Sequence, residues 1–229
     1  MNLPNALTVG RIAITPLVAV LPFVNGSTVR AIAFVLFIVA AVTDYVDGYL
    51  ARRENLITDL GKWLDPLADK LLLLGTFVPM YYLMRGAPML QHAGQTIPPD
   101  GRFPTLLASM WLSLPLWVVI VVLGREAFMT AFREVAKRRG VVISSIGPAK
   151  WKTTFQSIWI GAAYCWFFAA TLAREQGWGG NWWSAFAYFN GAVVALSMIG
   201  AVALTIWSLA LYVQRYGSVI AAPTRSHAG

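Results

Sequence analysis

Charged residues make up only 12% of the 229-residue sequence, and there is a single cysteine, Cys165. The lone cysteine excludes a disulfide framework within the chain. So few charges, beside 58% hydrophobic residues and a mean hydropathy of +0.61, exclude an ordinary soluble domain. The sequence also has no low-complexity tract or serine- and glycine-rich linker. We therefore expect one membrane domain over residues 1–220 and a disordered tail, 221–229.

Long apolar stretches are abundant instead. A hydrocarbon core of about 30 Å takes about 20 helical residues to cross. Six stretches come close to or exceed that length, at about 8–25, 28–51, 64–84, 105–127, 151–173 and 183–213. The pattern predicts an all-α integral membrane protein, a bundle of six transmembrane helices.

Acidic residues are scarce, at ten against eighteen basic residues, and the net charge is +8. The basic residues lie mainly beside the apolar stretches, so membrane lipid rather than nucleic acid is the expected acidic partner. With a cytoplasmic N-terminus, the cytoplasmic segments hold eleven of the eighteen and the opposite side holds four. This asymmetry predicts a bacterial-type inner or plasma membrane protein with both termini in the cytoplasm.

Six of the ten acidic residues lie within residues 42–70, around the junction of the second and third spans. At 100° per residue, four of these aspartates form two faces that also hold small residues. The faces hold Asp44, Asp47, Gly48 and Ala51 on the second helix, and Gly61, Asp65, Ala68 and Asp69 on the third. If Pro66 instead lies in the first turn of the third helix, Gly61 falls in the loop. The two pairs of aspartates meet at the cytoplasmic ends of helices 2 and 3 in either case.

Four carboxylates at one membrane edge cannot all ionise unless positive charge compensates them. Oxygen ligands with no cysteine or histidine nearby favour Mg²⁺, Mn²⁺ or Ca²⁺ over zinc, and four carboxylates indicate two ions. Such ions hold phosphate oxygens during in-line displacement. The small residues would let a nucleotide lie against the helices, and Arg52 would neutralise a phosphate oxygen. The alternative is a solvated, ion-paired loop, which is our interpretation of Glu54 and Asp59.

The spacing Asp44-x2-Asp47-Gly48-x2-Ala51-Arg52-x8-Gly61-x3-Asp65-x3-Asp69 matches every fixed position of the CDP-alcohol phosphotransferase signature, and the chain is identified as a member of that family. The resemblance implies a six-helix membrane enzyme, commonly a homodimer, in which an alcohol displaces CMP from a CDP-linked donor. It implies a site for two Mg²⁺ or Mn²⁺ ions, with Asp44, Asp47 and Asp65 as ligands and Asp69 as both ligand and catalytic base. It also assigns Gly48, Ala51, Arg52 and Gly61 to the cytidine and phosphate pocket. Asn5 and Thr8 match the family's opening stretch, where they border the nucleotide or cap the first helix.

Further stretches at 2–16, 64–72, 124–140 and 147–156 resemble the branch of the family that combines CDP-diacylglycerol with glycerol 3-phosphate. Glycerol 3-phosphate is a dianion near neutral pH, so its pocket needs additional cations. The candidates are Arg11, Arg125, Arg133, Lys150 and Lys152, each of which could instead be a topology charge or a lipid contact. Eight residues separate Arg125 from Arg133, about 80° around a helix, so both can face one cavity.

Other functions compete with this interpretation. Within the family, the acceptor could be inositol phosphate, serine or phosphatidylglycerol, and charge does not separate inositol phosphate from glycerol 3-phosphate. Transfer of the phospholipase D type needs a His-x-Lys-x4-Asp motif, which neither His92 nor His227 provides. A cation transporter would use intramembrane carboxylates deeper in their spans than these aspartates.

Overall fold

The computed structural model describes residues 3–53, 59–85, 103–104, 111–112, 114–141, 143–144 and 147–221. Six long helices account for most of them: α1 Leu3–Val20, α2 Ser27–Arg53, α3 Asp59–Arg85, α4 Leu116–Arg138, α5 Gly147–Glu175 and α6 Asn181–Ala221. A 3₁₀ turn, Leu21–Phe23, follows α1, and the short strands β1, Phe103–Pro104, and β2, Trp111–Leu112, pair in antiparallel fashion. The predicted helical class is confirmed over this part of the chain. Of the predicted disordered tail 221–229, Ala221 is instead the last residue of α6, and residues 222–229 lie outside the described part.

Five of the described helices contain apolar stretches long enough to cross a membrane. They are Asn5–Phe23, Ser27–Gly48, Trp63–Met84, Ala149–Glu175 and Asn181–Gly217. Large apolar side chains point outward along them; Phe189 and Leu196 are each 69% exposed. An outward face of this kind is stable in lipid and costly in water, so the protein is a membrane protein.

The predicted span 105–127 differs from the helix found there. Residues 105–110 lie outside the described part, while Pro115 has an extended backbone, at φ −69° and ψ 142°, and α4 runs from Leu116 to Arg138. Proline disfavours helical geometry in the residue before it, so the apolar residues that precede Pro115 do not lengthen α4. The charged pair Arg125 and Glu126 lies mid-helix, and α4 is not among the five apolar spans.

Helix α1 is the element that positions the ends of its neighbours, because it packs against both α2 and α3. A close approach at Gly75 supports this packing, since a Cβ atom there would lie 3.0 Å from Thr15 Cγ2. The buried Tyr164 hydroxyl on α5 donates to the Val18 carbonyl oxygen at 3.1 Å, and the Gly75 carbonyl oxygen lies 3.4 Å away. These contacts hold α1, α3 and α5 around one core, and Phe77 and Trp159 meet edge to face within it.

At the opposite end of these helices, α2 is joined to the end of α5. Glu175 accepts hydrogen bonds from the Ser27 backbone N–H at 2.9 Å and from the Ser27 hydroxyl. Arg30 donates to the Thr171 hydroxyl, and both residues are buried. These polar contacts at the N-terminal end of α2, together with the shared core, therefore fix the orientation of the helix and the position of its acidic C-terminal end.

Candidate active site

The structure carries the acidic residues on two long helices. Asp44 and Asp47 lie near the end of α2, while Asp65 and Asp69 lie on α3, which already begins at Asp59. Pro66 is therefore inside α3, and Gly61 is helical rather than part of the loop. Of the two alternatives left open by the sequence, the continuous helical face is the one observed.

Arg11 from α1 lies among three of the carboxylates. Its Nη2 donates to Asp47 Oδ2 at 2.6 Å, and its Nη1 donates to Asp69 Oδ1 at 2.9 Å and to Asp44 Oδ1. The Arg11 side chain is 1% exposed and that of Asp47 7%, whereas those of Asp44 and Asp69 are 44% and 58% exposed. One guanidinium thus joins α1, α2 and α3.

Two further α1 residues share the face that carries Arg11. Asn5, Thr8 and Arg11 follow one another at three-residue spacing, and all are buried. The Thr8 hydroxyl donates to Asp65 Oδ1 at 2.9 Å, and Asp47 Oδ2 lies 3.4 Å from the same oxygen. The resemblance assigned Asn5 and Thr8 to the nucleotide or to a helix cap; the structure places Thr8 directly against the aspartates.

The chemistry of this donor set fits a hard divalent cation, because its oxygens all come from carboxylates and a hydroxyl. Its arrangement around Arg11 does not form a ready-made cage: the described residues contain no group of three acidic, histidine or cysteine side chains placed to hold one ion. Arg11 supplies one positive charge among four carboxylates. The excess negative charge would attract divalent cations, and their binding would require the Arg11 guanidinium to move away from the carboxylates.

A cavity of about 180 Å³ begins at this cluster and extends between the helices. Its charged lining residues include Arg11, Asp44 and Asp69, together with Glu126 from α4 and Lys152 from α5. The remaining lining residues are Phe37, Ala41, Lys70, Leu72, Leu73, Thr76, Thr153, Gln156, Ser157 and Ile160. The cavity thus combines carboxylates and basic side chains with an apolar surface.

Two of the predicted acceptor-site cations meet at Glu126. Arg125 Nη1 donates to Glu126 Oε1 at 2.8 Å, and Lys152 Nζ donates to the same oxygen. Both cations are buried, at 7% and 5% exposed, and Arg125 Nη2 also donates to the Ser208 hydroxyl on α6 at 3.3 Å. We call Arg125, Glu126 and Lys152 the basic cluster.

The other predicted residues that the structure describes do not line the cavity. Arg133 and Lys150 are exposed and do not line the cavity. Gly48 and Gly61 lie on α2 and α3 beside the aspartates, with Gly61 buried. Ala51 and Arg52 belong to α2, but their side chains lie outside the described part of the structure.

Sequence reasoning missed Glu126, although an indication was present. The stretch LWVVIVVLGREAF places one carboxylate directly after Arg125 in an otherwise apolar run. A carboxylate in such a position is costly unless it is paired, so a partner from another helix is expected. The missing information was the identity of that partner, Lys152, which is 26 residues away in the sequence.

Comparison with known proteins identifies the family of the chain. The sequence model of the CDP-alcohol phosphatidyltransferase family matches residues 1–207, and the chain belongs to that family. The CDP-diacylglycerol--glycerol-3-phosphate 3-phosphatidyltransferase of Rickettsia typhi is 49% identical over 71 residues, which are 31% of this chain and 40% of the relative. This chain therefore aligns with less than half of that relative's length.

Two plant relatives align over more of the chain. The CDP-diacylglycerol--glycerol-3-phosphate 3-phosphatidyltransferase 2 of Arabidopsis thaliana is 31% identical over 227 residues, covering 96% of this chain and 82% of the relative. The cardiolipin synthase (CMP-forming) of Oryza sativa subsp. japonica is 34% identical over 163 residues, covering 68% and 43%. The relatives thus carry two kinds of name, one with glycerol 3-phosphate in it and one with cardiolipin.

Proposed function

We propose that this chain transfers the phosphatidyl group of CDP-diacylglycerol to glycerol 3-phosphate and releases CMP, as a phosphatidylglycerophosphate synthase does. The observation that carries the proposal is a cavity lined both by Asp44 and Asp69 of the acidic cluster (Asp44, Asp47, Asp65 and Asp69) and by Glu126 and Lys152 of the basic cluster. The first suits a metal-bound pyrophosphate and the second suits a phosphomonoester. The names of the Rickettsia and Arabidopsis relatives support the same substrates.

In this proposal Asp44, Asp47, Asp65 and Asp69 hold two Mg²⁺ or Mn²⁺ ions. Bound there, the ions would hold phosphate oxygens of the donor and offset the charge that develops during displacement. Before the ions bind, the Arg11 guanidinium holds the carboxylates together. Once the ions have released it, Arg11 can pair with a phosphate oxygen in the same part of the cavity. Gly48, Ala51, Arg52 and Gly61 border the cytidine, with Asn5 and Thr8 on the α1 side.

Asp69 is the proposed base. Its side chain is 58% exposed on the cavity wall, so it can reach a substrate as well as a metal ion. It takes the proton from the C1 hydroxyl of glycerol 3-phosphate, and the alcohol oxygen forms a bond to the β-phosphorus of the donor. The bond from that phosphorus to the bridging oxygen breaks, and CMP leaves with the electron pair.

The acceptor phosphate is proposed to bind at the basic cluster. Lys152 lines the cavity, and Arg125 is held beside it by hydrogen bonds to Glu126 and to Ser208 on α6. Arg133 and Lys150, which are exposed, would attract the dianion or contact it after a rearrangement. A charged acceptor explains why two buried cations are present in a membrane protein.

The proposal includes an arrangement in the membrane. The five apolar helices and α4 would form the six-helix bundle, with the acidic cluster at the cytoplasmic ends of α2 and α3. The distribution of basic residues supports this orientation in a bacterial-type inner or plasma membrane. A homodimer is the expected assembly, on the family resemblance.

The test is CMP release by purified protein in detergent with CDP-diacylglycerol and Mg²⁺ or Mn²⁺, offering each acceptor alone. We expect release with glycerol 3-phosphate and background rates with inositol 1-phosphate, serine and phosphatidylglycerol. The name of the Oryza relative makes phosphatidylglycerol the second candidate acceptor. CMP release with phosphatidylglycerol but not with glycerol 3-phosphate would reject the glycerol 3-phosphate assignment. If none of the four acceptors supports CMP release, the enzymatic assignment is rejected.

A further inference from the structure

We infer that Glu126 is a positioning residue that orients the two acceptor-site cations. This inference deepens the proposed function and rests on it for the identity of the acceptor. Glu126 takes no direct part in the proton transfer to Asp69 or in the transfer of the phosphatidyl group. It acts through Lys152 and Arg125, which donate to a single oxygen of its side chain, Oε1.

The first argument is burial. Lys152 and Arg125 are 5% and 7% exposed, and a buried cation is strongly destabilised unless an anion compensates it. Glu126 supplies that anion for both of them. Without it, two like charges would share a buried space, and at least one of them would turn away.

The second argument is geometry. Arg125 has another anchor, the Ser208 hydroxyl at 3.3 Å, and Ser208 is itself bonded to the Thr205 carbonyl oxygen at 3.1 Å. For Lys152, the contact recorded in the described part of the structure is the one to Glu126. Lysine has a flexible stem with four rotatable bonds, so this contact decides where the ammonium lies.

The third argument is charge balance. The basic cluster has two positive charges and one negative charge, so it is singly positive beside an acidic cluster. A site of this charge attracts a dianion and still keeps two donors in place for it. Removing the negative charge would strengthen the field but release the donors, and a displaced donor no longer makes its charge-assisted hydrogen bond to the phosphate.

The kinetic test compares Glu126→Gln, Lys152→Ala and the double variant. Glutamine keeps the size of the side chain and removes its charge. We expect Glu126→Gln to raise the KM for glycerol 3-phosphate about tenfold, with the KM for CDP-diacylglycerol within about twofold of wild type. In the Lys152→Ala background the same change should add no more than about threefold, because the two residues act as one unit. Glu126→Asp should recover part of the loss.

A chemical test does not depend on the acceptor. Lys152 is labelled with an acylating reagent in the substrate-free protein, and peptides are quantified against the exposed Lys137. We expect Glu126→Gln to raise the relative labelling rate of Lys152 several-fold, since the amine gains freedom and loses its counter-ion. An unchanged ratio would mean that Glu126 does not hold Lys152.

The outcomes separate the two proposals. The positioning role would be overturned if Glu126→Gln left the KM for glycerol 3-phosphate unchanged. It would also be overturned if the fold-increase in that KM in the double variant equalled the product of the two single-variant increases. If wild-type protein does not use glycerol 3-phosphate at all, the proposed function fails, and the labelling ratio still decides whether Glu126 orients Lys152. A general loss of folding would also raise the labelling of the half-buried Lys70, which distinguishes it from local release of Lys152.

Discussion

Replacing Arg11 by methionine tests whether one guanidinium holds the acidic cluster together. Methionine keeps an unbranched side chain of comparable length but leaves the Asp47 carboxylate, 7% exposed, without its ion pair. Breaking a buried ion pair by removing one partner costs about 3–5 kcal/mol. Asp44 and Asp69 are 44% and 58% exposed, so their pairs add only about 0–1 kcal/mol each.

The assay is thermal unfolding in detergent with a chelator present. At about 2–4 °C per kcal/mol for a chain of this size, we expect the midpoint to fall on the order of 10 °C. Addition of Mn²⁺ should restore much of the loss, because an ion can compensate the same carboxylates. Arg138→Met is the matched control: it removes an exposed pair with Glu134, 3.1 Å long, and should change stability by less than about 1 kcal/mol. Equal midpoints for Arg11→Met and the control would refute the counter-ion role.

Four further predictions concern the site and the fold. Asp69→Asn should lower kcat about 10²–10⁴-fold, measured as CMP release at saturating substrates, and near-normal turnover would remove Asp69 from the role of base. Chelation should abolish CMP release, and Mg²⁺ or Mn²⁺ should restore it; full activity in the chelator would contradict the two-metal proposal. Lys152→Ala should raise the KM for glycerol 3-phosphate more than Arg133→Ala does, because Lys152 lines the cavity and Arg133 does not, and the reverse order would favour an acceptor site at the surface. Gly75→Val should destabilise the fold by about 1–3 kcal/mol through contact with Thr15, whereas Gly124→Ala, with nothing within 4 Å of the added atom, should be neutral or stabilising in thermal unfolding.

Helical periodicity predicted the acidic faces well, because it depends on residues three and four apart. Asp44 and Asp47 do share a face of α2, and Asp65 and Asp69 do share one of α3. The apolar pattern likewise predicted five of the spans. The fourth span was misplaced because periodicity treats an apolar run as continuous, whereas Pro115 separates α4 from the residues before it.

Helical periodicity and apolar patterns do not predict which distant parts of the chain come into contact. Arg11 lies 33 residues from Asp44 and 58 from Asp69, and no local pattern indicates that its guanidinium joins them. Its basic charge was interpreted as an acceptor-phosphate contact, a role that stays a prediction, and its position among the aspartates became visible only in the packed bundle. Helical spacing also placed Arg125 and Arg133 on one cavity, whereas packing pairs Arg125 with Lys152 through Glu126.

The most direct measurement is the mass of the lipid that wild-type protein makes from CDP-diacylglycerol and glycerol 3-phosphate in the presence of Mn²⁺, with CMP quantified in the same reaction. We expect phosphatidylglycerophosphate and CMP in equal amounts. Absence of that lipid, with cardiolipin formed when phosphatidylglycerol is supplied instead, would contradict the assignment of the acceptor and of the basic cluster.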